Sequence, residues 1–333
     1  MSNQPPIEVP QGAIRLNTDS EKLEFFAQDR WYQFATNTPI LNGGGRGLVG
    51  GGNTPSQTNT IQFVTISVLG NSEDFGDLTA ARQSNLAATG NQTRGIFGGG
   101  QVHPANSDIV DFVTFSSTGN ATDLGDLTVA RRNLIGNGNQ TRGIFGGGQT
   151  PTLQDVIDYI TIPSTANAVD FGNLTVARKQ LGGTASSPTR SLFFGGYTPS
   201  VTNVIEFVTI PTTGNAQDFG DLTVAQMMPS GVSSSTRAVM MGGNTSPANI
   251  NTIQFVTITT LGDARDFGDL REAVTNSQSA SDCVRGLRMG GGNGNTNIID
   301  YVNIATIANA EDFGDLATGQ GEGAGCSNAH GGL

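Results

Sequence analysis

The sequence predicts an all-β protein built from many short antiparallel strands, and three observations carry that prediction. Gly accounts for 47 of the 333 residues, about twice its usual share. Thr, Asn and Ser fill much of the remainder, the make-up of tight turns and short strands rather than long helices. Most telling, a block of about 48 residues recurs six times.

Each block is headed by an arginine: Arg46, Arg94, Arg142, Arg190, Arg237 and Arg285, at steps of 48, 48, 48, 47 and 48. Small and apolar residues lead from each to a Gly-Gly pair, from Gly51-Gly52 to Gly290-Gly291, and RGIFGGG stands letter for letter at 94–100 and 142–148. A segment of the IQFVTI type follows (61–66, 109–115, 156–162, 204–210, 253–258 and 298–304). Then comes DFGDL or a near copy (74–78, 123–127, 170–174, 218–222, 266–270 and 312–316), and a polar stretch such as ARQSNLAATGNQT (81–93). A phosphate-cradling glycine loop is needed once and opens a helix. Six glycine clusters that lead into polar loops and β-branched strands are architecture instead. Each block reads as four strands: the segment ending in NQT, R-G-I-F-G-G, the I-x-F-V-T-I run and D-F-G-D-L. The third is apolar on both faces, as in a sheet buried between two neighbours. Four-stranded units repeated radially protect their edges by closing a ring. The expected fold is therefore a six-bladed β-propeller over residues 46–333, with four antiparallel strands per blade.

The first block lacks a good first strand. Leu316 is followed by ATGQGEGAGCSNAHGGL, the length of such a strand with no block after it. Residues 319–331 are expected to supply the inner strand of blade one; the alternative donor is TPILNG (38–43).

Outside the blocks the chain reads as an extended arm (1–11), a β-meander (12–36) and a linker (37–45). Ile14 and Leu16 alternate into the turn NTDSEK; Leu23, Phe25 and Phe26 follow, then the turn AQDR and Trp31, Tyr32 and Phe34. A meander this short does not bury its own aromatics. These eight residues are the expected anchor, with Trp31, Phe25 and Phe26 at its centre.

The blocks resemble the kelch repeat, which has a Gly-Gly pair closing its second strand, an aromatic in the third and fourth strands, and an Arg before the next blade. Here the third-strand aromatics are Phe63, Phe112, Tyr159, Phe207, Phe255 and Tyr301. Those of the fourth are Phe75, Phe171, Phe219, Phe267 and Phe313, with Leu124 in blade two. The arginines are Arg82, Arg131 and Arg178; blades five and six depart, with Gln226 and an out-of-step Arg271, and Phe replaces the usual kelch Trp throughout. The N-terminal stretch resembles a segment, G-A-I-R-x-N-T-D-S-x-K-L-E followed by W, found near the start of fibre and capsid-associated proteins of tailed bacteriophages. Gly12, Ala13, Ile14, Arg15, Asn17, Thr18, Asp19, Ser20, Lys22, Leu23, Glu24 and Trp31 match it. Blades of the GDLTVAR type are likewise similar to those of virion proteins, particularly of phages of cyanobacteria.

Chemistry is sparse by comparison. The DFG triplets match a kinase metal-binding motif but recur five times without its partners. The expected roles are Phe between blades, Gly in a tight turn and Asp capping backbone amides. His103 and His330, the only histidines, lack ligand spacing. Copper ligation of the galactose-oxidase kind lacks its Tyr and His set, no Ser-His-Asp pattern appears, and the periodic carboxylates argue against a matched acid–base pair. No cofactor or metal is expected, with a calcium ion on clustered Asp left open. A net charge of −11, no basic run and no apolar stretch of membrane length weigh against nucleic-acid and membrane partners.

What varies between blocks is the loop after each Gly-Gly pair, where a rigid scaffold carries binding residues. Gln101, His103, Gln149, Tyr197, Asn244 and Asn293 are the candidates, suited to glycan hydroxyls; the bland reading is solvated turns. The resemblances imply a non-enzymatic virion structural protein, assembled in the host cytoplasm as a tail fibre, head fibre or decoration component. Its expected partners are other virion proteins, bound through the N-terminal segment, and a host-surface glycan or receptor; it is expected to be oligomeric in the particle. The alternatives are a cellular kelch-type interaction module and a glycan-binding propeller.

Overall fold

The computed structural model describes residues 9–17, 22–33, 45–292 and 294–333. Among them every regular element is a β-strand, 28 in all and paired antiparallel. The chain divides into two units, Met1–Leu41 and Asn42–Leu333.

In the first unit, β1 (Ile14–Asn17), β2 (Lys22–Ala27) and β3 (Arg30–Gln33) form one sheet in that order. The turn AQDR is present, with Gln28 and Asp29 both at positive φ, 50° and 58°, the left-handed pair that a two-residue hairpin demands. The middle of the expected turn NTDSEK (18–21) and the expected anchor residue Phe34 lie outside the described residues, as does the segment 38–43; Asn17 and Lys22 pair with each other.

The second unit holds six sheets of three or four strands and a two-stranded ladder, Gln101–Val102 with Ala105–Asn106. In the second sheet the inner strand Ala87–Gly90 pairs with Arg94–Gly98, that with Ile109–Thr114, and that with the outer strand Thr122–Asp126. The third, fifth and sixth sheets repeat this order, starting from inner strands Ile135–Gly138, Ser230–Ser233 and Gln278–Ser281. The fourth has three strands, and its inner segment is joined through the bridges Gly182↔Phe194 and Ser186↔Ser191. The first sheet takes its inner strand from the far end of the chain: Ala324–Ser327 pairs with Arg46–Gly50 in the register Ala324↔Gly50. Inner strands stop short of NQT, which is the turn itself. The Asn91 side chain accepts from the amides of Thr93 (2.9 Å) and Arg94 (2.8 Å).

The core is not central. It is six apolar clusters, each between consecutive sheets, including one between the sixth and the first. The DFGD outer strands explain how. In the first sheet Ile61 opposes Gly76 and Gln62 opposes Asp74, so Phe75 is the extra residue of a β-bulge. Its ring is buried and meets Phe63 edge-to-face at 5.9 Å. Phe219 is buried in the same way, 6.0 Å from Phe207. Gly76 (φ +145°) serves the bulge rather than a tight turn, and a Cβ there would lie 2.4 Å from the Gly119 carbonyl oxygen of the next sheet. The Asp of DFG does not cap: Asp74 is exposed, and the cap comes from Asn120, whose Oδ1 accepts from the Asp77 amide at 3.1 Å.

The repeated arginine of RGIFGGG ties sheet to sheet. The Arg94 guanidinium lies 4.4 Å from the centroid of the Phe112 ring and donates to the Ile162 carbonyl of the third sheet at 2.9 Å. Arg46, Arg142, Arg190 and Arg237 each make the corresponding bond to the following sheet, and Arg285 makes it from the sixth sheet to Ile66 of the first. Within the same motif, a Cβ on Gly98 would stand 2.8 Å from Phe145, so glycine admits the neighbouring sheet's aromatic.

Candidate functional site

Four fully buried ion pairs are the first place to look for chemistry, because buried titratable groups gather at active sites. Arg82 pairs with Asp111 (2.5 Å), Arg131 with Asp158 (2.7 Å), Arg178 with Glu206 (2.7 Å) and Arg288 with Asp300 (3.1 Å). Burial pushes the Arg82 and Arg178 guanidinium groups down and the Glu206 and Asp300 carboxyls up, against the pull of their partners. Every pair occupies the same place within its sheet, and backbone carbonyls accept further N–H groups of the guanidinium, although the Nε of Arg82, Arg178 and Arg288 meets no acceptor. Arg82 donates to the Gly99 and Ile109 carbonyls, and Arg288 to those of Gly290 and Ile298. These are structural staples. In the fifth and first sheets the place is filled by amides, Gln254 donating to Gln226 (3.2 Å) and Gln62 to Gln320 (3.0 Å). In the sixth sheet Val274 stands at the usual arginine position and Arg288 reaches in from another strand. Arg271, out of step in sequence, bonds the same Asp300 at 3.3 Å from a half-exposed site.

The space between the inner strands is the second place. The strands are lined by small residues, and the space they leave is two cavities of about 60 and 20 Å³, room for a few waters but not for a substrate. One end is crossed by the segment after Ser327. The Arg46 amide donates to Asn328 Oδ1 (2.8 Å), the Cys283 thiol to the Ala329 carbonyl (3.3 Å) and the Gly331 amide to the Ser233 carbonyl (3.1 Å). His330 is buried. Gly332 N–H donates to its Nδ1 (3.1 Å), so Nε2 carries the proton and faces the Gly90 carbonyl at 2.9 Å. Among the described residues no group of three or more His, Cys, Asp or Glu side chains is placed to hold a metal, and no helix is long and apolar enough to cross a membrane.

The expected anchor residues do not form one cluster. Ile14 pairs in register with Phe25, and Phe25 with Tyr32, whose ring it stacks against at 5.5 Å. Phe26 and Trp31 pair on the opposite face, 5.3 Å apart, where Arg15 covers Trp31 at 4.0 Å and binds Glu24 at 2.9 Å. Neighbouring residues of a strand point to opposite faces, so Phe25 and Phe26 cannot share a surface. Leu16 and Leu23 pair in the backbone register.

Among the loop candidates, Gln101, Gln149, Tyr197 and Asn244 hold one position in four successive sheets. Each is paired by backbone hydrogen bonds to the connection beside it: Gln83, Arg132, Lys179 and Met227. Gln101 is buried, with its amide spent on Ser84 and Pro104. Asn244 is spent on Asn249 and Ser246 within its own loop. His103 is exposed and stands apart, and Asn293 lies outside the described residues. Gln149 and Tyr197 converge: Lys179 donates to Gln149 Oε1 at 2.9 Å and its ammonium lies 5.4 Å from the centre of the Tyr197 ring. The sequence carried a signal for this meeting point, since Lys179 is the one lysine in the six blocks.

A scan against protein-family models finds no match. A search of curated proteins finds no similar sequence.

Proposed function

We propose that residues 46–333 form a six-bladed kelch-like β-propeller and that the protein is a non-enzymatic structural component of a tailed-phage virion. Support for the propeller is the cyclic succession of inter-sheet clusters and arginine bonds, which run from each sheet to the next and from the sixth to the first. The virion reading rests on the small N-terminal sheet. Three strands of four to six residues cannot build a core of their own, and Ile14 stands 61% exposed opposite Phe25. An apolar face on an undersized sheet marks a contact site, and it lies in the segment that resembles phage fibre and capsid-associated proteins. In this reading the sheet attaches the protein to the particle, and the propeller faces outward for protein or host-surface contact.

The test is incorporation. A chain lacking residues 1–36 is expected to keep its β circular dichroism and cooperative melting but to be absent from purified particles by mass spectrometry. Normal incorporation would move the attachment site onto the propeller. A glycan-binding reading draws its own support from the meeting of Gln149, Lys179 and Tyr197.

A further inference from the structure

We propose that the loop face where the third and fourth sheets meet is a binding site for an acidic polysaccharide, centred on Arg132, Gln149, Lys179 and Tyr197. The proposal deepens the reading of that face as a contact surface and rests on it.

The argument starts from the cations. The chain has 17 basic residues against 28 acidic ones, and the blocks use nearly all of theirs internally. Six arginines tie sheets together and four sit in buried pairs. Arg271 is held by Asp300 and Asp312, and Arg265 lies exposed at the opposite end of its sheet from these loops. That leaves Arg132 and Lys179. They occupy the same position in adjacent sheets, where the other four blocks carry Gln83, Met227, Thr275 and Gly321. The two are joined through one residue: Gln149 pairs with Arg132 by backbone and accepts from Lys179 by side chain.

Arg132 is half-buried, its Nε is shut off from solvent, and its guanidinium has no hydrogen-bond or ion-pair partner among the described residues. The buried Nε is out of a ligand's reach, but the two Nη groups are not buried, and a planar guanidinium matches a carboxylate two bonds at a time. A carboxylate on a ligand would supply what the protein omits. Around it stand groups that bind sugars. Tyr197 offers a half-buried ring, Thr150 and Thr152 present hydroxyls from the loop that Gln149 opens, and Asn106, whose amide donates to the Gln149 carbonyl, comes from the loop of the preceding sheet. Lys179 joins Gln149 of one loop to Tyr197 of the next, a span that suits a polymer laid across two loops. A uronic-acid polysaccharide combines the three requirements of carboxylate, hydroxyls and a sugar face for the ring.

Arg132→Gln and Lys179→Met place at each position a residue that another sheet already carries, so both variants are expected to fold as the parent does. The experiment is titration calorimetry of the full chain with a galacturonate oligomer at low ionic strength, against a neutral cello-oligosaccharide and inorganic sulfate. The expected result is binding of the galacturonate oligomer alone, weakened about 10-fold or more by either variant and reduced by salt. Equal binding by the variants, binding of the neutral oligomer or sulfate as tightly as the galacturonate, or no binding at all would overturn the site. The variants are expected to enter particles normally, so a failure here stays distinct from a failure of the attachment reading.

Discussion

Sheets two to four and sheets five, one and six fill the same buried place by three different means. The first group uses an Arg–carboxylate pair from fixed sequence positions. Sheets five and one use two glutamines. Sheet six keeps the ion pair but draws its guanidinium from Arg288, a strand away from where Val274 leaves the gap. What the repeat preserves is therefore not a residue but a condition, that a buried charge at this place meets its opposite or is replaced by a neutral amide pair. A lone buried charge costs more than a buried pair gains, so exchange of one partner forces exchange of the other. The inner strands follow the same logic. Serine hydroxyls donate from sheet to sheet in Ser327→Ser281, Ser281→Ser233, Ser233→Ser186 and Ser186→Gly138. Gly90 and Gly138 have no hydroxyl to continue the series, and His330 reaches the Gly90 carbonyl instead.

The comparison is broken most directly by removing one partner. Arg131→Gln leaves Asp158 buried and unpaired and is expected to cost about 3–5 kcal/mol in denaturant unfolding. Adding Asp158→Gln, which copies sheet five, should return most of it; equal stability of single and double variants would show that the pairs are not balanced units. Arg288→Val should cost less, about 2–3 kcal/mol, because Arg271 remains beside Asp300. The same measurement on both variants tests that ranking.

Acid titration tests the histidine substitute. Burial holds the His330 imidazole below its ordinary pKa of 6.5, so the unfolded chain takes the proton first. The stability tied to the neutral ring is complete above pH 6.5 and is lost as pH falls below it toward the lowered folded value. Protonation also sets an N–H at Nδ1 against the Gly332 amide. His330→Gln is expected to flatten the slope of melting temperature against pH in that window; an unchanged slope would place the proton uptake elsewhere. The smallest effect belongs to Ser233→Ala, about 1 kcal/mol for one hydroxyl's bonds, read from the same unfolding curves.

Much of this was legible in the sequence because the repeat is local. The period, the strand segments and the segment that pairs with Arg46–Gly50 follow from counting, and the buried fourth-strand rings follow from the recurring Phe. What was not legible is what depends on neighbours far along the chain. The carbonyl that Arg94 reaches is 68 residues away, and nothing near Val274 announces that Arg288 replaces the missing guanidinium. The bulge at Phe75 hides inside a motif that reads equally well as a turn. The division of the aromatic anchor was a different failure: adjacency of Phe25 and Phe26 already places them on opposite faces, and the density of the cluster obscured it. Gln149 and Tyr197 read as loop residues in the sequence, but only the fold brings Lys179 between them.

The pairing of Ala324–Ser327 with Arg46–Gly50 has a consequence for synthesis on the ribosome. Arg46 and Asn328, joined by a hydrogen bond, are 282 residues apart. At roughly 5–20 residues per second, the strand Arg46–Gly50 waits about 15–60 s after its own translation before its partner exists. The first sheet is thus begun first and finished last. For that interval its open edge is a template for wrong pairing, and its makeup of Arg and two glycines among five residues keeps that edge a poor one.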